Sequence, residues 1–407
     1  MKLPTRLWIA LPLLLALAAA AYWLRPAASP IRIGVLHSLT GTMADNELPI
    51  VDVIRLAVEE LNASGGLLGR PVEIELADGQ SDAARFAREA ERLITDRQVS
   101  ALFACWTSTC RKAVKPVIEQ HRHLMFYPLQ YEGLEQSPNI YYAGAAPNQQ
   151  IIPGTRWALE RLGKRAYLLG SDYIFPRTAN LIIRDIVQAN QGSVLAERYQ
   201  PLGAQNFDRI IAELRRLKPE VIFNTINGDS NAHFFRALRQ AGLTNLPVVS
   251  FSVDETGLQN MGTGAYHPNH YAVWNYFQSM PSLANQRFVS AYRTRFGRQR
   301  VTSAPAATAY TMVHLWAQAV RDAGTDDPQQ VNITMLQQSY ASPFGIAAVD
   351  RATRHLWQPA SIGKARRDFQ FDLVWSSDDI IQPIPFPDYR PRAEWQRIQG
   401  KLSGGPH

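Results

Sequence analysis

The residues best suited to chemistry in this chain cluster where predicted strands give way to helices. Trp106-Thr107-Ser108 follows the apolar run Val99 to Ala104 and precedes a helix whose apolar face is Ala113, Val114, Val117 and Ile118. A helix start carries unpaired N–H groups, and with hydroxyls beside them it can hold a carbonyl oxygen or an anion. Other strand ends deliver Tyr127 and Gln130, Tyr173 after Asp172, Asp229 after Asn227, and the pair Asp254-Glu255. Hydroxyls at Thr107 or Ser108 would donate to a carbonyl. Carboxylates such as Glu255, Asp229 or Asp172, with Asp254 beside Glu255, would accept N–H groups, and the rings of Trp106, Tyr127, Tyr131 or Tyr173 would flank a flat molecule. Arg111, Lys112 and Arg177 lie inside helices or beyond the loops, so the set is poor in cations. It suits a small, uncharged, planar ligand rich in N–H donors, for which urea is the simplest test molecule. Each residue also has an ordinary structural use: Thr107, Ser108 and Asp229 as helix caps, Tyr127 and Tyr173 as core aromatics.

Catalysis is not indicated. The chain has no G-x-S-x-G, H-E-x-x-H, Walker A or G-x-G-x-x-G motif. Its nine histidines are scattered, so neither a metal cluster nor a cofactor is expected. Acid pairs without a nucleophile or a metal make a weak catalytic set. The net charge of +7 is spread along amphipathic helices, as at Arg209, Arg215, Arg216 and Lys218, which describes a solvated surface rather than a nucleic-acid footprint.

The elements that must position these residues alternate. Strand Ile31–Leu36 is followed by a helix with Val53, Leu56, Ala57 and Leu61, then strand, helix, and the Val99–Ala104 unit. The pattern restarts after Pro147-Asn148-Gln149, with strands at 165–170, 194–199, 220–225 and 247–253 separated by helices. With 407 residues, this predicts an α/β chain of two doubly wound lobes with mainly parallel sheets. Ligands of such sheets bind beyond the carboxyl ends of the strands. Past a strand at 271–277 come long helices (285–296, 304–323, 328–339), then extended segments at 345–350 and 369–375.

Lys2 and Arg6 precede an apolar run, Leu7 to Leu24, which small residues follow; residues 1–30 read as an export signal or an uncleaved membrane anchor. The bulk of the protein is then expected outside the cytoplasm. The two cysteines, Cys105 and Cys110, fit neither a metal spacing nor C-x-x-C; they are either buried thiols or a bridge.

Several longer motifs resemble one family. The segment Ile33-Gly34-Val35-Leu36-His37-Ser38-Leu39-Thr40-Gly41-Thr42 is similar to the opening of type I periplasmic solute-binding proteins of the branched-chain amino acid and amide class. Cys105-Trp106-Thr107-Ser108 with Arg111-Lys112-Ala113-Val114, Tyr127-Pro128-Leu129-Gln130-Tyr131-Glu132-Gly133, Gly170-Ser171-Asp172-Tyr173 and Asn224-Thr225-Ile226-Asn227-Gly228-Asp229 resemble the urea-binding proteins of urea ABC transporters and related short-amide sensors. The resemblance implies lobes formed by 31–146 with 279–343 and by 147–278 with 344–400, joined by several crossings and closing on the ligand. It also implies contacts from Trp106, Ser108, Tyr127, Tyr173 and Asp254-Glu255, and delivery of unaltered urea or a short amide to an inner-membrane permease. A sensor of the same fold would read alike.

Overall fold

The computed structural model describes residues 29–403; the apolar N-terminal run lies outside them. Among the described residues no helix is long and apolar enough to cross a membrane.

The first sheet is wholly parallel. Strands β1 (Ile31–His37), β2 (Val72–Asp78), β3 (Ala101–Ala104), β4 (Met125–Tyr127) and β5 (Ile140–Tyr142) stand in the order β2-β1-β3-β4-β5. Helices α1 (Ala44–Ala63), α2 (Ala83–Thr95) and α3 (Ser108–Gln120) make the crossovers. Both faces of β3 are covered, so all four of its residues are buried, as a parallel strand requires.

After α4 (Ile151–Arg161) the second sheet uses β6 (Arg165–Ser171), β7 (Ser193–Gln200), β8 (Val221–Thr225), β9 (Val248–Ser250) and β10 (His270–Trp274). They alternate with α5 (Ile174–Ala189), α6 (Asp208–Leu217), α7 (Ser230–Gln240) and the short α8 (Glu255–Met261). The next helices, α9 (Leu283–Phe296), α10 (Ala304–Ala323) and α11 (Pro328–Met335), belong with the first sheet, α10 packing along α1. Strands β11 (Ser339–Ser342), β12 (Gly345–Val349) and β13 (Leu356–Trp357) form a small antiparallel sheet. Residues 345–357, expected with the second lobe, instead pair with β11 and reach β5 through a Tyr142–His355 bridge. Then β14 (Ser361–Ala365) and β15 (Phe371–Ser376) complete the second sheet, β15-β14-β10-β9-β8-β6-β7, with antiparallel pairing only at that edge.

The chain therefore passes between the lobes three times, at 143–150, 275–282 and 358–360. Buried amides fasten these crossings together. Asn275 donates to the Gln358 side-chain oxygen at 2.7 Å, Gln358 donates to the Gln149 side-chain oxygen at 3.2 Å, and Gln149 donates to the backbone of Leu356 and Ile381 at 2.8 Å each. The first crossing starts with a close approach, since a Cβ on Gly144 would lie 1.9 Å from the Leu129 carbonyl oxygen.

The segment after β15 runs back over this junction. The Leu134 N–H donates to the Pro385 carbonyl at 2.7 Å, and the Ile384 N–H donates to Asn148 at 2.8 Å. Gly133 (φ +72°) has no room for a side chain there, because a Cβ would sit 2.2 Å from the Pro385 oxygen. The final helix α12 (Arg392–Ser403) lies on α5, with Trp395 fully buried and Arg390 bidentate to Asp185 at 2.7 Å.

Candidate functional site

Between β3 and α3 the chain turns sharply. Cys105 takes φ +74°, in the left-handed region that a side chain disfavours. Its sulfur is bridged to Cys110, with the two Cα atoms 6.1 Å apart, which settles the bridge that the sequence left open. The bridge clasps the three residues that carry the chemistry. Thr107 is the cap of α3, accepting the Cys110 N–H at 3.1 Å. Trp106 is buried and donates its indole N–H to Asn227 at 3.2 Å, joining a loop of the first sheet to one of the second. Tyr127, at the end of β4, braces the turn by donating to the Trp106 carbonyl at 2.7 Å. Replacing both cysteines by serine removes a short loop closure, for which chain entropy predicts a loss of about 2 kcal/mol. Thermal unfolding of the paired variant checks it, and an unchanged midpoint would mean the turn is held by Tyr127 alone.

Beneath this turn lies an ion cluster that an amphipathic reading of α3 does not reveal. Arg111 has no exposed surface. It donates to Glu132 at 2.8 Å, to Glu135 at 3.0 Å and to the Ser108 hydroxyl oxygen at 3.0 Å. Lys112 reaches Glu135 at 3.0 Å, and Tyr142 donates to the same carboxylate at 2.9 Å. The guanidinium also lies over the rings of Tyr127 and Tyr131, 4.9 and 4.6 Å from their centres. Burial works against the Arg111 charge, but Glu132 and Glu135 outweigh it and hold the group well above its ordinary pKa. Burial likewise works against the Glu135 carboxylate, yet Arg111, Lys112 and Lys115 keep it below the usual range. The expectation of a site poor in cations is thus corrected: two cations and two anions form its floor.

The cluster fixes the polarity of Ser108. Its hydroxyl donates to Glu132 while its oxygen accepts from Arg111. With its one proton committed, the buried Ser108 hydroxyl has only a lone pair left to offer a ligand. It is an acceptor, not the donor to a carbonyl that the sequence suggested. From the second lobe Tyr173, a buried ring at the start of α5, comes close enough to Tyr127, Glu132 and Arg111 to interact with them. The Tyr173 hydroxyl has no hydrogen-bond partner among the described residues. Burial raises its pKa, so it stays a donor.

The remaining predicted residues are distributed around this centre. Gln130 donates to the Phe251 carbonyl at 2.9 Å, and Gln150 donates to the same oxygen at 3.2 Å and to Val273 at 2.6 Å. Both amide oxygens are buried and have no partner among the described residues. Asp229 is exposed and lines a cavity of about 170 Å³ on the rim of the cleft, between Thr42 and Asp45 of one lobe and Gly228, Ser252 and Asn260 of the other. Asp254 caps α8 through the Gly257 N–H at 2.8 Å. Glu255 is fully buried and accepts the Gln278 N–H at 2.6 Å, tying α8 to the second crossing, with its other oxygen unpaired among the described residues.

Burial raises the pKa of Asp254 to about 6 and that of Glu255 well above the ordinary carboxyl value. A raised folded-state pKa contributes stability at low pH that is lost as pH rises through the folded value. Glu255→Gln should therefore match the parent near pH 4 and exceed it by about 1–3 kcal/mol at pH 8. Thermal melts at the two pH values decide it, and a variant less stable at both would show that the carboxylate is needed.

Glu132, Arg111 and Gln150 are the contributors that the sequence reading did not select. The available signal was spacing: Ser108 and Arg111 are three apart on one helix face, and Glu132 and Glu135 are three apart in the loop after β4.

Comparison with known proteins agrees with this architecture. A periplasmic binding protein domain model matches residues 31–392. A solute-binding protein of an ABC transporter from R. palustris, solved in complex with 4-hydroxybenzoate, superposes with a TM-score of 0.79 at 21% identity, covering 87% of this chain and 98% of that one. A branched-chain amino acid transporter binding protein from Streptococcus pneumoniae, in complex with isoleucine, gives 0.75 at 20% identity, covering 87% of this chain and 100% of that one. In sequence, a Leu/Ile/Val-binding protein homologue from Brucella suis is 23% identical over 317 residues, 72% of this chain and 77% of that protein. A limonene hydroxylase from Geobacillus stearothermophilus is 32% identical over 120 residues, and the matched stretch spans only 21% of that relative's length. The family model spans nearly all of the described residues, and the chain accordingly belongs to the periplasmic binding protein family, whose members capture solutes without altering them.

Proposed function

We propose that the chain captures urea or a short neutral amide between its lobes and delivers it unaltered to the permease of an ABC transporter. Family membership supports solute capture in the periplasm. The ligand class rests on one observation, the commitment of the Ser108 proton to Glu132 beside the buried Arg111. A carboxylate, such as the neighbours' benzoates and amino acids carry, would meet a lone pair backed by a glutamate. An amide N–H would be accepted there, and the Tyr173 hydroxyl would donate to its carbonyl. The unpaired oxygens of Gln130 and Gln150 add acceptors. Trp106 and Tyr127 would supply apolar walls. Asp254 and Glu255 would set the lobe geometry through the α8 start and the second crossing, and Asp229 would act at the rim.

Calorimetric titration with urea, acetamide, 4-hydroxybenzoate and isoleucine tests this reading. Urea or acetamide should bind and the two carboxylates should not. Capture of either carboxylate with indifference to both neutral amides would sink it.

A further inference from the structure

The second lobe carries a separate concavity of about 910 Å³, lined by Arg236, Arg239, Arg367, Gln240, Thr263 and Tyr266 among others, with no aspartate or glutamate in its lining. Several arginines elsewhere on this lobe surface are matched by carboxylates: Arg198 and Arg209 share Glu213, Arg177 takes Asp172, and Arg366 takes Asp368 and Asp372, while Arg165 and Arg215 meet backbone carbonyls singly, away from this concavity. The neighbouring Arg367 is turned away from those acids and lies over the Tyr266 ring, 5.3 Å from its centre. Arg239 is steadied by the Thr263 carbonyl at 3.0 Å, a contact that leaves its charge uncompensated. Three guanidinium groups thus converge with no carboxylate partner among the described residues, two of them held by contacts that do not neutralise them.

Position narrows the occupant. Arg236 lines this concavity and also the small inter-lobe cavity at the cleft rim. There Asn260 of the second lobe donates to the Asp45 carbonyl of the first at 3.3 Å. Whatever fills the basic concavity therefore stands beside the place where the lobes meet and where solute must leave. We propose that it is a docking socket for an acidic segment of the membrane transporter that receives the solute. The proposal rests on the delivery reading above. A polar, concave socket with fixed guanidinium forks suits carboxylate side chains of an inserted loop, whereas a lipid surface would favour a flatter face with apolar residues to insert.

The test uses the full chain and a fluorescently labelled hexaglutamate peptide at low ionic strength. Anisotropy should report binding that Arg239→Gln/Arg367→Gln weakens by about tenfold or more and that added salt abolishes. The control pair Arg287→Gln/Arg293→Gln, on α9, should change it by less than about twofold. Equal loss in the control would reduce the effect to general charge and overturn the socket. Displacement of the peptide by inorganic phosphate alone, or a larger effect of the double variant on phosphatidylglycerol vesicles than on the peptide, would also overturn it. Urea titration of the same double variant keeps the two readings apart. Intact urea binding without peptide binding removes the socket alone, and selective peptide capture without urea binding supports the socket while removing the ligand.

Discussion

Replacing Arg111 by methionine should cost about 3–5 kcal/mol of folding stability at neutral pH, because Glu132 and Glu135 would be left in the interior with only the part-exposed Lys112 and the more distant Lys115 to answer them. The buried ion cluster is not itself a large source of stability, since desolvating four charges offsets most of their attraction. Removing one cation exposes the full cost of the anions. The pH dependence carries the sign. Glu135 has its folded-state pKa depressed, so its contribution in the parent is present above the unfolded value and fades as pH falls through the folded one. In the variant the Glu135 carboxyl, without its main counter-charge, gains by taking up a proton. The gap between the two proteins should therefore narrow below about pH 4. Thermal unfolding across pH reads this directly, with heat preferred over urea because urea is the proposed ligand. A gap under about 1 kcal/mol at pH 7 would mean that the cluster relaxes into water.

Ser108→Ala should weaken urea binding by about 1–3 kcal/mol, roughly five- to 150-fold, because a ligand N–H would then face a methyl group in a closed cleft. The folded state should be less affected, since Arg111 retains both glutamates. The companion Glu132→Gln separates polarity from packing. It removes the negative charge behind Ser108, so any carboxylate affinity should rise relative to urea. Calorimetry on both variants against urea and 4-hydroxybenzoate decides the matter. Unchanged urea affinity in Ser108→Ala would remove Ser108 from the site.

The architecture was legible in the sequence because strand–helix alternation is a local signal repeated many times. Val99 to Ala104 and the stripe at Val114 and Ile118 need no distant information to be read as β3 and α3. The elements that went unseen lacked that signal. β14 contains glycine and lysine, β5 is three residues long, and α8 begins within Asp254-Glu255, which reads as a loop. The site was legible as a list but not as a circuit. Thr107 and Asp254 carry cap residue types and are caps. Arg111 could not be placed from its helix, because its burial depends on Glu132 and Glu135, more than twenty residues on. The direction of the Ser108 proton follows only from that placement. The Cys105–Cys110 bridge was open for the same reason, since it hinges on a positive φ that residue type gives no cause to expect.

The strap that recrosses the lobe junction is made from residues beyond Ser376, after the last strand of either sheet. A chain emerging from a ribosome or a translocation channel can therefore pair every strand before Pro385 reaches Leu134 and Trp395 finds its seat on α5. During that interval the lobes are joined by the three crossings and the amides between them. The closing segment thus completes a junction that the Asn275–Gln358–Gln149 amides already fasten, and a polypeptide halted just short of it is expected to keep both sheets while lacking the Leu134–Pro385 contact and the buried Trp395.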